Sequence, residues 1–271
     1  MKKIWSLSLV IVLIAGFLGG CKKDKGDPPS LPPAESMQID FSNFSSTTKS
    51  SEMSFDSKGT EDINWQTAAL IAGTWRLIIA TTLAIPVASF KVSIDQDPVY
   101  LSEKKWQWSY NVSAAGVTYK ARLTGEIRTS DAKWEMYVAR EGADAFAEFK
   151  WFEGTSKLDG TGGQWLLSES NLVQTPILQI DWTKSGTTIG TVKYKYLKSG
   201  SSNGAYIDYG LTSSSLNAYF TIHYYSTTLG RFSDVNIEWN TTSKNGRIKS
   251  SDYLDGLWQC WDSNRGNIIC P

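Results

Sequence analysis

The sequence predicts a mainly β fold, a long antiparallel meander curled into an open or closed barrel around one buried α-helix. Three observations predict it. Short runs of β-branched and aromatic residues recur at close spacing from Val87 to the C-terminus. Glycine-bearing pairs separate them, and no helical pattern intervenes. Ahead of them stands a single apolar run long enough for a helix.

In chain order, Met1-Lys2-Lys3, the apolar stretch from Ile4 to Phe17 and Leu18-Gly19-Gly20 before Cys21 have the layout of a secretory leader over residues 1–20. The stretch is short for a bilayer span, which needs roughly 20 apolar residues. Leu18-Gly19-Gly20-Cys21 resembles the lipobox of bacterial lipoproteins. That resemblance implies lipidation of Cys21, usually with palmitate as one acyl chain, export to the cell envelope and attachment to a membrane. Lys22 follows the cysteine where inner-membrane retention would place aspartate, so the outer membrane is the expected site, on its periplasmic side or at the cell surface.

Residues 21–36 are rich in Lys, Asp, Gly, Pro and Ser and read as a flexible tether, followed by one β-rich domain over residues 37–271. Within that domain Met37 to Phe44 is expected to form a first strand, and Ser45 to Gly59 a polar loop. From Asp62 to Ile85 apolar residues dominate, with Gln66, Thr67, Gly73, Thr74 and Thr81 as one narrow polar stripe. This predicts a helix over about residues 62–85 that ends before Pro86 and is covered nearly all round, with Leu77 in the core. A membrane span is the rival reading, opposed by Arg76 and by the redundancy of a span beside a lipid anchor.

Alternation is clearest from Trp106 to Val112 and from Val117 to Leu123. It recurs in Trp134–Val138, Phe146–Phe152, Leu178–Trp182, Val192–Tyr196, Leu216–Tyr224 and Val235–Trp239. Ala115-Gly116, Glu141-Gly142, Gly162-Gly163, Ser185-Gly186, Asn203-Gly204 and Asn245-Gly246 are the expected turns. Ten to twelve sequentially paired strands follow. Such an architecture is similar to the half-barrel carriers of the lipoprotein-sorting pathway, a likeness of shape without a shared motif.

The 27 basic and 27 acidic residues balance, and loss of the leader leaves the chain slightly acidic, which gives nucleic acid nothing to bind. Cys260 and Cys270 are expected to form a disulfide in an oxidising compartment. His223 is the only histidine and sits on a polar strand face, so no histidine cluster is available to a metal or a cofactor. Ile39-Asp40-Phe41, Ile180-Asp181-Trp182 and Ile237-Glu238-Trp239 fit half-buried strands better than paired catalytic carboxylates. No P-loop, G-x-S-x-G, HExxH or dinucleotide fingerprint is present, and a non-catalytic protein is expected.

Twelve tryptophans are the most unusual feature of the composition. Trp106, Trp108, Trp258 and Trp261 are candidate ligand-facing aromatics, with core packing as the competing role. The sequence therefore supports a lipid-anchored envelope protein that binds an apolar ligand, such as a lipid acyl chain, inside its curved sheet. A surface carbohydrate-binding or adhesive lipoprotein is the alternative, and a purely structural envelope component a third reading.

Overall fold

The computed structural model describes residues 25–45, 62–114 and 116–271. Cys21 and the leader lie outside the described residues, as does most of the expected loop after Ser45. The described residues form one antiparallel sheet of fourteen strands in strict sequence order. These are β1 (Val99–Ser102), β2 (Lys105–Ala114), β3 (Val117–Ile127), β4 (Asp131–Arg140), β5 (Phe146–Lys157), β6 (Gly162–Ser168) and β7 (Pro176–Ser185). They continue with β8 (Thr188–Tyr196), β9 (Tyr206–Leu211), β10 (Ala218–Ser226), β11 (Arg231–Trp239), β12 (Gly246–Ser250), β13 (Gln259–Trp261) and β14 (Asn267–Ile268). Each strand pairs with its sequence neighbours, and β1 and β14 do not pair with each other. The sheet is therefore open, and the closed-barrel alternative is not what forms.

The concave face is built by tryptophan and glycine in alternation. Across β2 to β6 one transverse row reads Trp106, Gly125, Trp134, Gly154, Trp165, each directly opposite the next. A Cβ added at Gly154 would stand 2.3 Å from the Trp165 ring and from the Gln164 carbonyl oxygen, so the indole lies flat over bare backbone. Gly163 opposite Trp182, and Gly246 between Trp239 and Trp261, repeat the device. Alternating the largest and smallest side chains on the inner face lets that face fill without forcing the strands apart, and so permits a tight curl. Two expected turns are corrected by this arrangement. Gly162-Gly163 opens β6 and Gly246 opens β12, whereas the turns use Gly160 (φ +69°) and Lys244 (φ +68°). Gly116, Gly142, Gly186 and Gly204 do take positive φ.

The segment expected to be the first strand is not one. Ala34–Met37 and Ser42–Phe44 are short 3-10 turns, and the chain around them lines the hollow. Pro29 lies against Gly125, the Ser36 hydroxyl accepts a hydrogen bond from Trp165 Nε1 at 3.1 Å, and Phe44 meets the Trp239 and Trp261 rings. Packing against these inward indoles outweighs the weak strand pattern. Pro29, Pro32 and Ser36 are buried, so the segment expected to be a tether through Ser36 is packed into the fold from Pro29 onward.

The helix α1 (Ile63–Ser93) continues through Pro86 for two more turns. An interior proline costs about 3 kcal/mol in isolation. Here the turns beyond it bury Phe90 against Phe152 and Trp165, and the Tyr110 hydroxyl donates to the Ser89 carbonyl at 2.6 Å, which together offset that cost. At the other end Asn64 donates from its side chain to the Cys260 carbonyl, accepts from the Tyr253 hydroxyl, and binds Asn267 through its backbone N–H. The helix thus touches β2 and β3 with its C-terminal part and β12 to β14 with its N-terminal part, bridging the open side of the sheet. Trp65, Ala68, Ala72, Trp75, Leu83, Phe90 and Ser93 form its buried face. Among the described residues nothing covers the other face, contrary to the expectation of all-round burial. Leu77 is 67% exposed, with Leu70 and Ile78 exposed beside it.

Candidate functional site

Between the middle of α1 and the concave face of β7 to β10 lies a cavity of about 540 Å³, within the range of small-molecule sites. Helix periodicity places Ile71, Thr74, Trp75, Ile78, Ile79 and Thr82 on its wall, and strand alternation places Leu178 and Tyr196 opposite. The two threonines do not make this wall polar. Thr74 and Thr82 turn their hydroxyls back onto the Leu70 and Ile78 carbonyls of the helix, at 3.0 and 2.8 Å. Polarity is confined to the sheet side, where Ser202, Tyr196 and Tyr224 line the cavity and Tyr225 borders it from the strand face that carries His223, its ring edge-on to Phe232. The site is amphipathic, suited to a ligand with an apolar body and a polar end.

The tryptophans singled out from the sequence do not line this cavity. Trp106, Trp108 and Trp261 are buried in the core, with Trp261 Nε1 donating to the Lys244 carbonyl, so their candidacy as ligand-facing aromatics is corrected to packing. Trp258 is half-buried, and the Arg247 guanidinium lies 4.2 Å from its ring centroid. The aromatics around it are Trp75, Tyr196, Tyr224 and Tyr225, of which Trp75, Tyr196 and Tyr224 fall inside patterns that the sequence shows, while Tyr225 lies one residue beyond.

On the outer face, aromatic rings are also occupied. His223 stacks between Phe232 at 4.3 Å and Tyr206 at 5.4 Å, and its Nδ1 shares a hydrogen bond with Asp234 at 2.7 Å. Lys193 lies over the Tyr206 ring at 3.9 Å. These ring faces are turned to each other, which removes them as a platform for a sugar. Beside the column an open polar depression of about 600 Å³ contains Gln164, Asp181, Lys193 and Asp208, consecutive across β6 to β9. Asp181 accepts from Gln164 and Gln179 at 2.7 and 2.8 Å. Partial burial holds the Asp208 carboxyl above the usual carboxylate range, opposed by Lys193 and reinforced by the charge on Asp181. Ile180 and Trp182, like Ile237 and Trp239, point inward while Asp181 and Glu238 point out, as expected of half-buried strands.

The sulfurs of Cys260 and Cys270 are at bonding distance, 2.11 Å, and the expected disulfide is present. It fastens the short β13–β14 hairpin onto which Asn64 hangs the start of α1. Among the described residues, His, Cys, Asp and Glu side chains form no group of three placed to hold a metal ion. No protein-family model, no curated protein and no solved structure matches this chain.

Proposed function

We propose that the protein is a non-catalytic, lipid-anchored component of the cell envelope, most simply of the outer membrane, that holds an amphiphile with a single apolar chain between its helix and its curved sheet. The observation that carries the reading is the cavity of about 540 Å³ with an apolar helix wall and the hydroxyl-bearing residues Ser202, Tyr196 and Tyr224 on the sheet side. Ser202, Tyr196 and Tyr224 suit a carboxylate or other polar head group, while Ile71, Ile78, Ile79 and Leu178 suit a hydrocarbon chain. The anchor is supported by Leu18-Gly19-Gly20-Cys21 behind its apolar run.

Titration with cis-parinaric acid, a fluorescent fatty acid, tests the cavity. Saturable binding near one molecule per chain is expected, weakened at least tenfold by Ser202→Phe, which places a ring in the cavity from a half-buried loop position. Binding that is absent, or that is unchanged in a folded Ser202→Phe variant, contradicts the proposal.

A further inference from the structure

We infer that the open side of the sheet, with the uncovered face of α1 across it, rests on the surface of the phospholipid bilayer that holds the anchor. This rests on the proposed lipidation of Cys21 and adds an orientation to it. Exposed apolar side chains are not scattered over the molecule. Of the sixteen large aliphatic side chains exposed among the described residues, eleven lie on α1, on its connection to β1 and β1 itself, or between Leu254 and Ile269. The helix touches strands near both edges of the sheet, so these groups lie along its open side, Leu70, Leu77 and Ile78 on the helix and Leu101 and Ile268 on the outer face of the two edge strands. An apolar area of this kind marks an interaction surface.

The position of the tether selects a membrane as its occupant. Lys25 Nζ lies 5.7 Å from the Tyr100 ring centroid, and Tyr100 sits in β1 between exposed Val99 and Leu101. Cys21 is four residues away, so its sulfur-bearing residue lies within about 14 Å of Lys25 even with the backbone fully extended. A lipid inserted from there draws the β1 edge and the adjoining helix toward the bilayer.

On the helix itself charge agrees. The stretch Ile63–Ser93 contains Arg76 and Lys91, both exposed, and no acidic residue, and Lys22, Lys23 and Lys25, with Asp24 among them, follow the anchor, while exposed Asp95, Asp97 and Asp255 stand in the adjoining segments. Basic groups at the border of an apolar face are the composition of a helix lying in the interface of an anionic membrane. Because the opposite face of α1 is packed on the sheet, the helix lies on the bilayer and does not cross it. Ile78 is both exposed and part of the cavity wall, so this orientation brings the cavity within reach of the lipids.

The test uses the full chain, purified with its anchor and reconstituted in vesicles of phosphatidylethanolamine and phosphatidylglycerol. Single cysteines at exposed positions, Leu77→Cys, Leu101→Cys and Leu158→Cys, carry a nitrobenzoxadiazole label, and brominated acyl chains act as quencher. Emission at positions 77 and 101 is expected to fall at least twofold, with position 158, in the turn between β5 and β6, unchanged. The mass of the N-terminal peptide reports the anchor separately. An acylated Cys21 with unquenched label at 77 or 101, including the case where cross-linking shows those positions covered by a second copy, overturns the orientation and leaves the anchor standing. Equal quenching at all three positions also overturns it. An unmodified Cys21 overturns both the anchor and the orientation.

Discussion

At the scale of single residues, the inner face is governed by what stands opposite each tryptophan. Gly154→Ala would thrust a methyl group into the Trp165 ring and the Gln164 carbonyl, and is expected to destabilise the fold by about 1–3 kcal/mol. Gly73, in the middle of α1, has open space where an added methyl would stand, with nothing within 4 Å, so Gly73→Ala is expected to stabilise by about 0.5–1 kcal/mol. Urea denaturation of the two variants compares them directly, and equal effects would refute the account of the Trp–Gly rows. The sequence displayed the abundance of both residues. Their pairing was not legible, because it links positions brought together only by strand register, and glycine beside glycine or asparagine carries the same local signal as a turn. Asp208 gives a prediction with a sign. Its carboxyl is held above the range it has in the unfolded chain, so its ionisation disfavours the folded state as pH rises. Asp208→Asn is therefore expected to raise Tm at pH 7 and to give no comparable gain near pH 3, where the native carboxyl is already protonated. A gain independent of pH would contradict the assigned cause.

At the scale of elements, α1 has two unlike faces that its sequence does not distinguish, since leucine and isoleucine occupy both. Leu83 is buried against the hollow and Leu77 faces out. Leu83→Asp is expected to cost about 3–5 kcal/mol by burying an unpaired charge, whereas Leu77→Asp should leave the thermal transition within about 1 kcal/mol of the wild type. Thermal unfolding in detergent-free buffer distinguishes them, and comparable losses would mean that the outer face is covered. The existence of the helix was legible from its apolar run; its end was not, because Pro86 is tolerated only through contacts of Phe90 and Ser89 with distant strands. The same reasoning applies to Met37–Phe44. Its apolar residues are buried as their pattern implies, but beneath the sheet and not within it, since the hollow offers indole surfaces and no free strand edge. The strongly alternating strands, β2, β4, β7, β8 and β11, were legible because each buries one face only.

At the scale of the whole molecule, a sequential meander of fourteen strands is curled by its own side chains and left open, with one helix and an N-terminal segment filling the hollow. Fastening is asymmetric. The C-terminal edge is held by Asn64, Tyr253 and the Cys260–Cys270 disulfide, which contributes about 2–3 kcal/mol by restricting the unfolded chain. The β2 edge is held by the Tyr110 hydroxyl and the buried face around Phe90. Between these two attachments, Asn64 and Ser89, the helix spans about 38 Å and leaves space beneath its middle, where the cavity lies. Neither the openness of the sheet nor that space could be read from local patterns, because both depend on how far the helix stands from β7 to β10. Native mass spectrometry of the protein released intact from the envelope shows whether the cavity is filled. A single bound amphiphile of a few hundred daltons that a Ser202→Phe variant loses is expected; a ligand-free chain that also fails to take up added fatty acid would refute amphiphile binding.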